Sequence, residues 1–247
     1  MINDLFVNLF SELFCVITGS IFVLFSNYIF KTLPAKKLWD IYHPKDLIIC
    51  TSTSSKTDTG EYIRPATGIG QVRALAYISA SLNKAYSNTK VRNILLSVDQ
   101  PQDSIENDLI LLGGPKNNDI SRLFLDKLRN LNIVAQKMST ISWLVEGEEA
   151  KYEGIVENKE VLTDYGIIIR MKNPFCSNNK TTIALFSGSH TYGTIAASKY
   201  FTQFYKNNLI KNKFLKKNIV IIVKCDVRDG YPFGIKKIKE YAFDESD

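Results

Sequence analysis

Residues 13–30 contain no charged side chain, and thirteen of those eighteen residues are apolar. A helix rises about 1.5 Å per residue, so the wider apolar run of residues 5–30 is long enough for a hydrocarbon layer of roughly 30 Å. Such a run can leave water in two ways, by crossing a bilayer or by lying buried as a long core or interfacial helix. Asn8, Glu12 and Asn27 fall toward its ends, where polar side chains reach headgroups more cheaply than at the midplane. The Thr18-Gly19-Ser20 interruption keeps the buried alternative open. A cleaved signal peptide fits poorly, because the start is acidic and the run closes on Asn27-Tyr28-Ile29-Phe30 without a small-residue cleavage site. Lys31, Lys36 and Lys37 follow at once, and the positive-inside bias then puts the C-terminal side in the cytoplasm. The expected organisation is a transmembrane helix over 1–30, a juxtamembrane linker over 31–43 with Trp39 and its lysines at headgroup level, and a cytosolic domain over 44–247.

The formal net charge of +6 is unevenly spread. Residues 1–30 hold only Asp4 and Glu12, so the rest of the chain carries all 31 basic groups against 23 acidic ones. With 45% hydrophobic and 23% charged residues, the chain is too apolar for a disordered one. Cys15, Cys50, Cys176 and Cys225 are widely spaced and form no C-x-x-C pair, and only two histidines, His43 and His190, occur. Neither a disulfide, a structural metal nor a cofactor is expected.

After residue 44, short apolar runs alternate with helical patterns, the signature of a parallel sheet covered by helices. Strands are expected at residues 47–51, 93–98, 108–112, 182–186 and 218–224, and helices at 71–86, 118–130 and 191–205, the second capped by Asn118. Residues 133–171 read as an antiparallel insertion, and the tail turns at Asp229-Gly230. The expected fold class is α/β: a Rossmann-like, mostly parallel sheet with an antiparallel insertion, preceded by one transmembrane helix.

Three loops bearing glycine lead into helix starts: Gly68 and Gly70; Gly113 and Gly114; and Ser187, Gly188, Ser189, His190, Gly193 and Thr194. In a parallel sheet these loops fall on the C-terminal edge of the strands, where ligands bind at a topological switch point. Helix N-termini and close-approaching glycine backbone favour an anion there. Each glycine also reads as an ordinary turn or packing residue. The spacing Gly68-x-Gly70-x-x-Arg73 departs from a dinucleotide fingerprint, and Gly188 to Gly193-Thr194 lacks the P-loop lysine. The long polar loop 52–67 offers Thr53, Lys56 and Arg64 as a lid, or is a plain surface excursion, and Asp99 ends the second strand where an acid would meet ribose hydroxyls. His190 has no visible orienting carboxylate, and no nucleophile-base pair is apparent. Asp103, Glu106 and Asp108 read as a solvated turn. Lys206, Lys211, Lys213, Lys216 and Lys217 read as an exposed connection, so no specific nucleic-acid partner is expected.

The layout of one N-terminal membrane helix followed by a cytosolic Rossmann-like domain resembles the membrane-anchored sensor effectors of prokaryotic nucleotide signalling and antiviral defence that carry a CARF-type domain. That resemblance implies a cyclic nucleotide or oligonucleotide bound at Gly113-Gly114 and Ser187 to Thr194, across a homo-oligomer, changing the packing of membrane helices. Two other readings stay open: a membrane-tethered enzyme acting on a nucleotide or nucleotide sugar through Asp99 or His190, and a cell-surface association module.

Overall fold

The computed structural model describes residues 2–86, 93–99, 104–178, 180–205 and 218–243. Helix α1 (Ile2–Asn27) runs through one π-helical turn (Tyr28–Thr32) into α2 (Leu33–Trp39). This is a helix long and apolar enough to cross a membrane, and the rest of the chain buries none of its apolar window. Phe14, Phe22 and Leu24 are each about two-thirds exposed or more (67%, 72% and 69%). The helix is therefore no part of this chain's own core.

The domain that follows is built from β1 (Ile48–Thr51), β2 (Ser55–Asp58), β3 (Ile63–Ala66), α3 (Ile69–Ala85), β4 (Ile94–Leu96), β5 (Leu109–Leu112) and α4 (Asp119–Asn130). It continues with β6 (Val134–Lys137), β7 (Thr140–Trp143), β8 (Ala150–Tyr152), β9 (Ile155–Glu157), β10 (Glu160–Lys172), β11 (Thr182–Gly188) and α5 (Thr191–Lys199). A long hairpin, β12 (Asn218–Arg228) and β13 (Tyr231–Phe243), closes it through the expected turn at Asp229 and Gly230, both at positive φ.

The central sheet has the order β13-β12-β10-β11-β5-β1-β4, with β9 paired to β10. Strands β4, β1, β5 and β11 are mutually parallel, whereas β10, β12 and β13 are antiparallel to their neighbours. The fold class is thus α/β with a mixed sheet. Every residue of β5 is buried, as expected of a strand covered on both faces. Alternate side chains feed two cores. Ile49, Ile110, Leu112, Ile168 and Phe186 pack beneath α2, α3 and α5, while Cys50, Leu109, Leu111, Ile167 and Leu185 pack beneath α4 and the β6–β7 hairpin.

Two local expectations are corrected. Trp39 does not sit at headgroup level: in α2, Ala35, Leu38 and Trp39 are essentially inaccessible and belong to the domain core. The Trp39 indole meets Phe186 and Phe201 edge-on and donates to the Ser81 hydroxyl at 3.0 Å. Its aromatic bulk has more to gain from that cavity than from a headgroup layer. Asp108 likewise is no solvated turn residue. It is fully buried and accepts from the backbone N–H groups of Tyr42, His43 and Thr182, fastening the α2 exit to the start of β11. Arg170 of β10 adds a cation at the C-terminus of α2, donating to the carbonyls of Lys37 and Leu38.

The antiparallel insertion divides in two. Strands β6, β7 and β8 form a separate small sheet, whereas β10 enters the central sheet between β11 and β12. Ile167, Ile168 and Ile169 are buried on alternate faces there, which a strand of an outlying hairpin cannot achieve. The 52–67 loop contains the exposed hairpin β2–β3. The basic connection at 206–217 lies outside the described residues.

Candidate functional site

From β1 the chain passes through α3 to β4 on one side, and then to β5 on the other side of β1. The strand order therefore reverses between β1 and β5, and their C-terminal ends open a crevice of the kind that receives ligands in such sheets. A cavity of about 460 Å³ occupies this position. Its floor and walls come from the ends of β1 (Ser52, Ser54) and β5 (Gly114, Lys116, Asn117), the start of α3 (Gly68, Gln71), the loop after β11 (Gly188, Ser189, His190) and the start of α5 (Thr191, Thr194). The tip of the β6–β7 hairpin adds Gln136, Met138 and Ser139, so the insertion supplies a wall of the crevice.

Of the residues expected from sequence, Gly68, Gly114, Gly188, Ser189, His190 and Thr194 line this cavity. Others lie next to it with structural tasks. Gly113 has φ +95°, which favours glycine, and donates its N–H to the Phe186 carbonyl. Ser187 is fully buried and donates to Gln136 Oε1 at 2.7 Å, while Gln136 Nε2 donates to the Gly188 carbonyl at 2.9 Å. Gly70 faces Thr191, letting α3 and α5 approach, and Gly193 lies against the Tyr165 backbone, where a side chain would push α5 off β10. Thr53 joins the ends of β1 and β4 through Ser97, with its N–H on Ser97 Oγ. Lys56 and Arg64 sit on the exposed β2–β3 hairpin, and Asp99 is exposed in the turn after β4; none of the three lines the crevice.

The sequence reading missed Asp164, on β10, because it lies 26 residues before His190 and meets it only across the sheet. Its carboxylate is fully buried and accepts from the backbone N–H groups of Tyr165, His190 and Gly193. It therefore occupies the positive end of α5, the place where the sequence pattern suggested an exogenous anion. His190 Nδ1 lies 3.5 Å from Asp164 Oδ1, an electrostatic contact without hydrogen-bond geometry. Asp164 raises the imidazole above its ordinary value, and partial burial opposes that shift. Gly154 also packs against the ring, where a Cβ would come within 2.5 Å of Nδ1 and 2.8 Å of Cε1.

The anion-favouring features of the crevice consequently gather at α3. Its N-cap is Gly68, which has no side chain to satisfy the first turn, and that turn holds no acid. By contrast the α4 terminus is closed by the Asn118 side chain, which accepts from Ile120 and Ser121. Lys116 supplies a cation at the rim. Ser52 Oγ and Gln71 Oε1 are buried at the floor with no intramolecular partner, a state that costs about 1–3 kcal/mol per group unless another molecule completes it.

A second cavity of about 450 Å³, lined by Leu131, Ile133, Val145, Met171, Tyr241 and Phe243 among others, lies at the ends of β10 and β13, away from the C-termini of the parallel strands. Asn132, Glu146, Lys172 and Asn218 also line it, but none of its lining residues carries a buried side-chain polar atom without a partner. The crevice is the candidate site. No protein-family model matches the chain, and comparison with curated proteins finds no match.

Proposed function

We propose that this chain is a membrane-anchored sensor or effector whose α/β domain binds a small anionic ligand of nucleotide type in the crevice at the β1/β5 switch point. The observation that carries this reading is the convergence there of an uncapped helix N-terminus, Lys116 and two unsatisfied buried polar atoms. A phosphate suits the α3 terminus and Lys116, and the amide and hydroxyl groups of Gln71, Asn117, Gln136 and Ser139 suit sugar hydroxyls and a base edge. The anchor is α1, inserted with its basic C-terminal flank and the domain on the cytoplasmic side.

Helix α3 supports the link between the two ends. Its first turn borders the crevice, and its last turns pack on α2, with Ser81 receiving the Trp39 indole. At 17 residues it spans about 25 Å, so a ligand that favours one α3 position also favours one α2–α1 position. One anchor helix reports such a shift only against another, and the reading includes association of two or more copies in the membrane.

The test is nucleotide binding to the full chain in mild detergent, read by isothermal titration and by mass spectrometry of co-purified small molecules. Binding of a phosphorylated nucleotide, weakened about tenfold by Lys116→Ala with an unchanged melting temperature, is the expected result. Failure of every nucleotide in a panel of mono-, di- and cyclic forms would sink the proposal.

A second reading, favoured by the Asp164–His190 contact, is an enzyme acting on the same class of ligand with His190 as acid or base. Turnover of the panel, abolished by His190→Ala with binding retained, would identify it.

A further inference from the structure

At the opposite end of the domain, three lysines from three different segments line one cavity of about 430 Å³. Lys36 comes from α2, Lys45 from the turn before β1, and Lys84 from the last turn of α3; Thr32 and Asn83 complete the polar lining. None of the three ammonium groups forms an ion pair with a carboxylate among the described residues, and Asp40, which caps the C-terminus of α2, is taken by Lys172 at 3.1 Å. Gathering like charges in one concave place is unfavourable unless a counter-charge joins them. The cavity is also held firmly in place, since Tyr86, on its wall, receives the Ile41 N–H and donates to the Lys36 carbonyl.

Its location restricts the counter-charge. If the apolar run ends at Phe30, Lys36 lies about 9 Å further along the helix axis, within reach of the headgroup layer for a side chain that snorkels. Lys36 Nζ sits 5.8 Å from the centre of the Tyr28 ring, which places that ammonium beside an aromatic residue at the end of the apolar run. Thr32, on the same wall, is two residues past Phe30.

We propose that this three-lysine cavity binds the phosphate headgroup of an anionic phospholipid, distinct from the crevice ligand at the other end of α3. The site rests on the membrane-anchor reading above. Its chemistry is that of a phosphate with neighbouring oxygens, shared by lipid and free phosphate, and the cavity's position at the foot of α1 favours the lipid. An occupied headgroup would tie α2 and the end of α3 to the bilayer surface, setting the resting position from which the crevice ligand moves them.

The experiment uses the full chain with vesicles of pure phosphatidylcholine and with vesicles containing phosphatidylglycerol, followed by native mass spectrometry of lipid retained after extraction. Flotation with both vesicle types, and retention of phosphatidylglycerol over phosphatidylcholine by at least about tenfold, are expected, each lysine near an anionic surface contributing several-fold. The K36Q/K45Q/K84Q variant is expected to float equally well and lose that preference. A chain that floats but retains both lipids alike overturns the site and leaves the anchor standing. A chain that floats on neither overturns both. Displacement of the retained lipid by millimolar inorganic phosphate, or a preference that survives in the triple variant, also overturns the lipid assignment; the single variant Lys45→Gln, exposed on a turn, repeats the comparison should the triple variant fail to fold.

Discussion

Asp164 on β10 accepts a hydrogen bond from the backbone N–H of Gly193 in the first turn of α5, so a buried carboxylate of the chain itself neutralises the positive end of that helix. The close approach of α5 to β10 at Gly193 makes this possible, and the same carboxylate turns toward the His190 ring. One buried acid thus fixes the α5 terminus, the loop after β11 and the only histidine in the crevice. The free anion-binding capacity of the crevice passes to α3.

Asp164→Asn is expected to destabilise the domain by about 2–3 kcal/mol, because an amide cannot accept from all three backbone donors and its own N–H groups would face them. Urea unfolding followed by circular dichroism measures this. A change below 0.5 kcal/mol, the level of an ordinary surface substitution, would show that the helix end needs no carboxylate.

His190 gives the fold a pH dependence of definite sign. Its pKa in the folded state is raised by Asp164, so its contribution to stability is fully present below the unfolded value of about 6.5 and is lost as pH rises through the folded value. The stability difference between the native chain and His190→Gln should therefore be larger at pH 5.5 than at pH 8.5. NMR titration of the imidazole in native protein and in Asp164→Asn supplies the companion readout, with the second titrating lower. Equal pKa values in the two proteins would rule out the carboxylate as the cause.

Trp39 couples the anchor helix to the domain, and truncating it should uncouple them. Trp39→Ala is expected to cost about 3–5 kcal/mol through the cavity left among Phe186, Phe201 and Ser81. Trp39→Phe keeps most of the packing and loses the indole hydrogen bond, a cost of about 1–2 kcal/mol. In addition, limited proteolysis of Trp39→Ala should open the chain between α2 and β1, which stays closed in the native protein. Equal resistance in both would mean that Asp108 and Arg170 suffice to hold α2 down.

The elements that sequence made legible are those whose pattern is local. Short continuous apolar runs located β1, β5 and β11, helical spacing located α3 and α4, and the Asn118 cap appeared at its expected place. Gly68, Gly114 and Gly188 to His190 were identifiable as neighbours because parallel strands deliver their C-terminal loops to one edge. What escaped notice depends on pairing between distant segments. Asp164 gains its role only when β10 lies antiparallel to β11, and Gln136 and Ser139 reach the crevice only when the β6–β7 hairpin folds over it. Trp39 next to lysines has the composition of a membrane interface, and only the cavity between Phe186 and Phe201 decides otherwise. Lys56 and Arg64 looked like phosphate ligands by residue type, but cross-strand pairing in β2–β3 carries them onto an exposed hairpin.

Thiol reactivity tests the two cores independently of any ligand. Burial pushes the thiols of Cys50 and Cys225 up to about 12; at Cys50 a hydrogen bond with Asn118 opposes it, and at Cys225 the charge of Asp164 adds to it. Cys176, near the end of the turn after β10, is instead lowered by hydrogen bonding to Thr181. The thiolate is the reactive species; Cys176 is buried too, but it sits in a short turn outside the central sheet, so in a Cys15→Ala background at pH 8 Ellman's reagent should modify it ahead of the other two, on local opening of that turn. Cys50 and Cys225 should react only at the rate of unfolding, and together. Native-state labelling of Cys50 ahead of Cys225 would mean that the β1–β5 region opens alone, and with it the floor of the crevice.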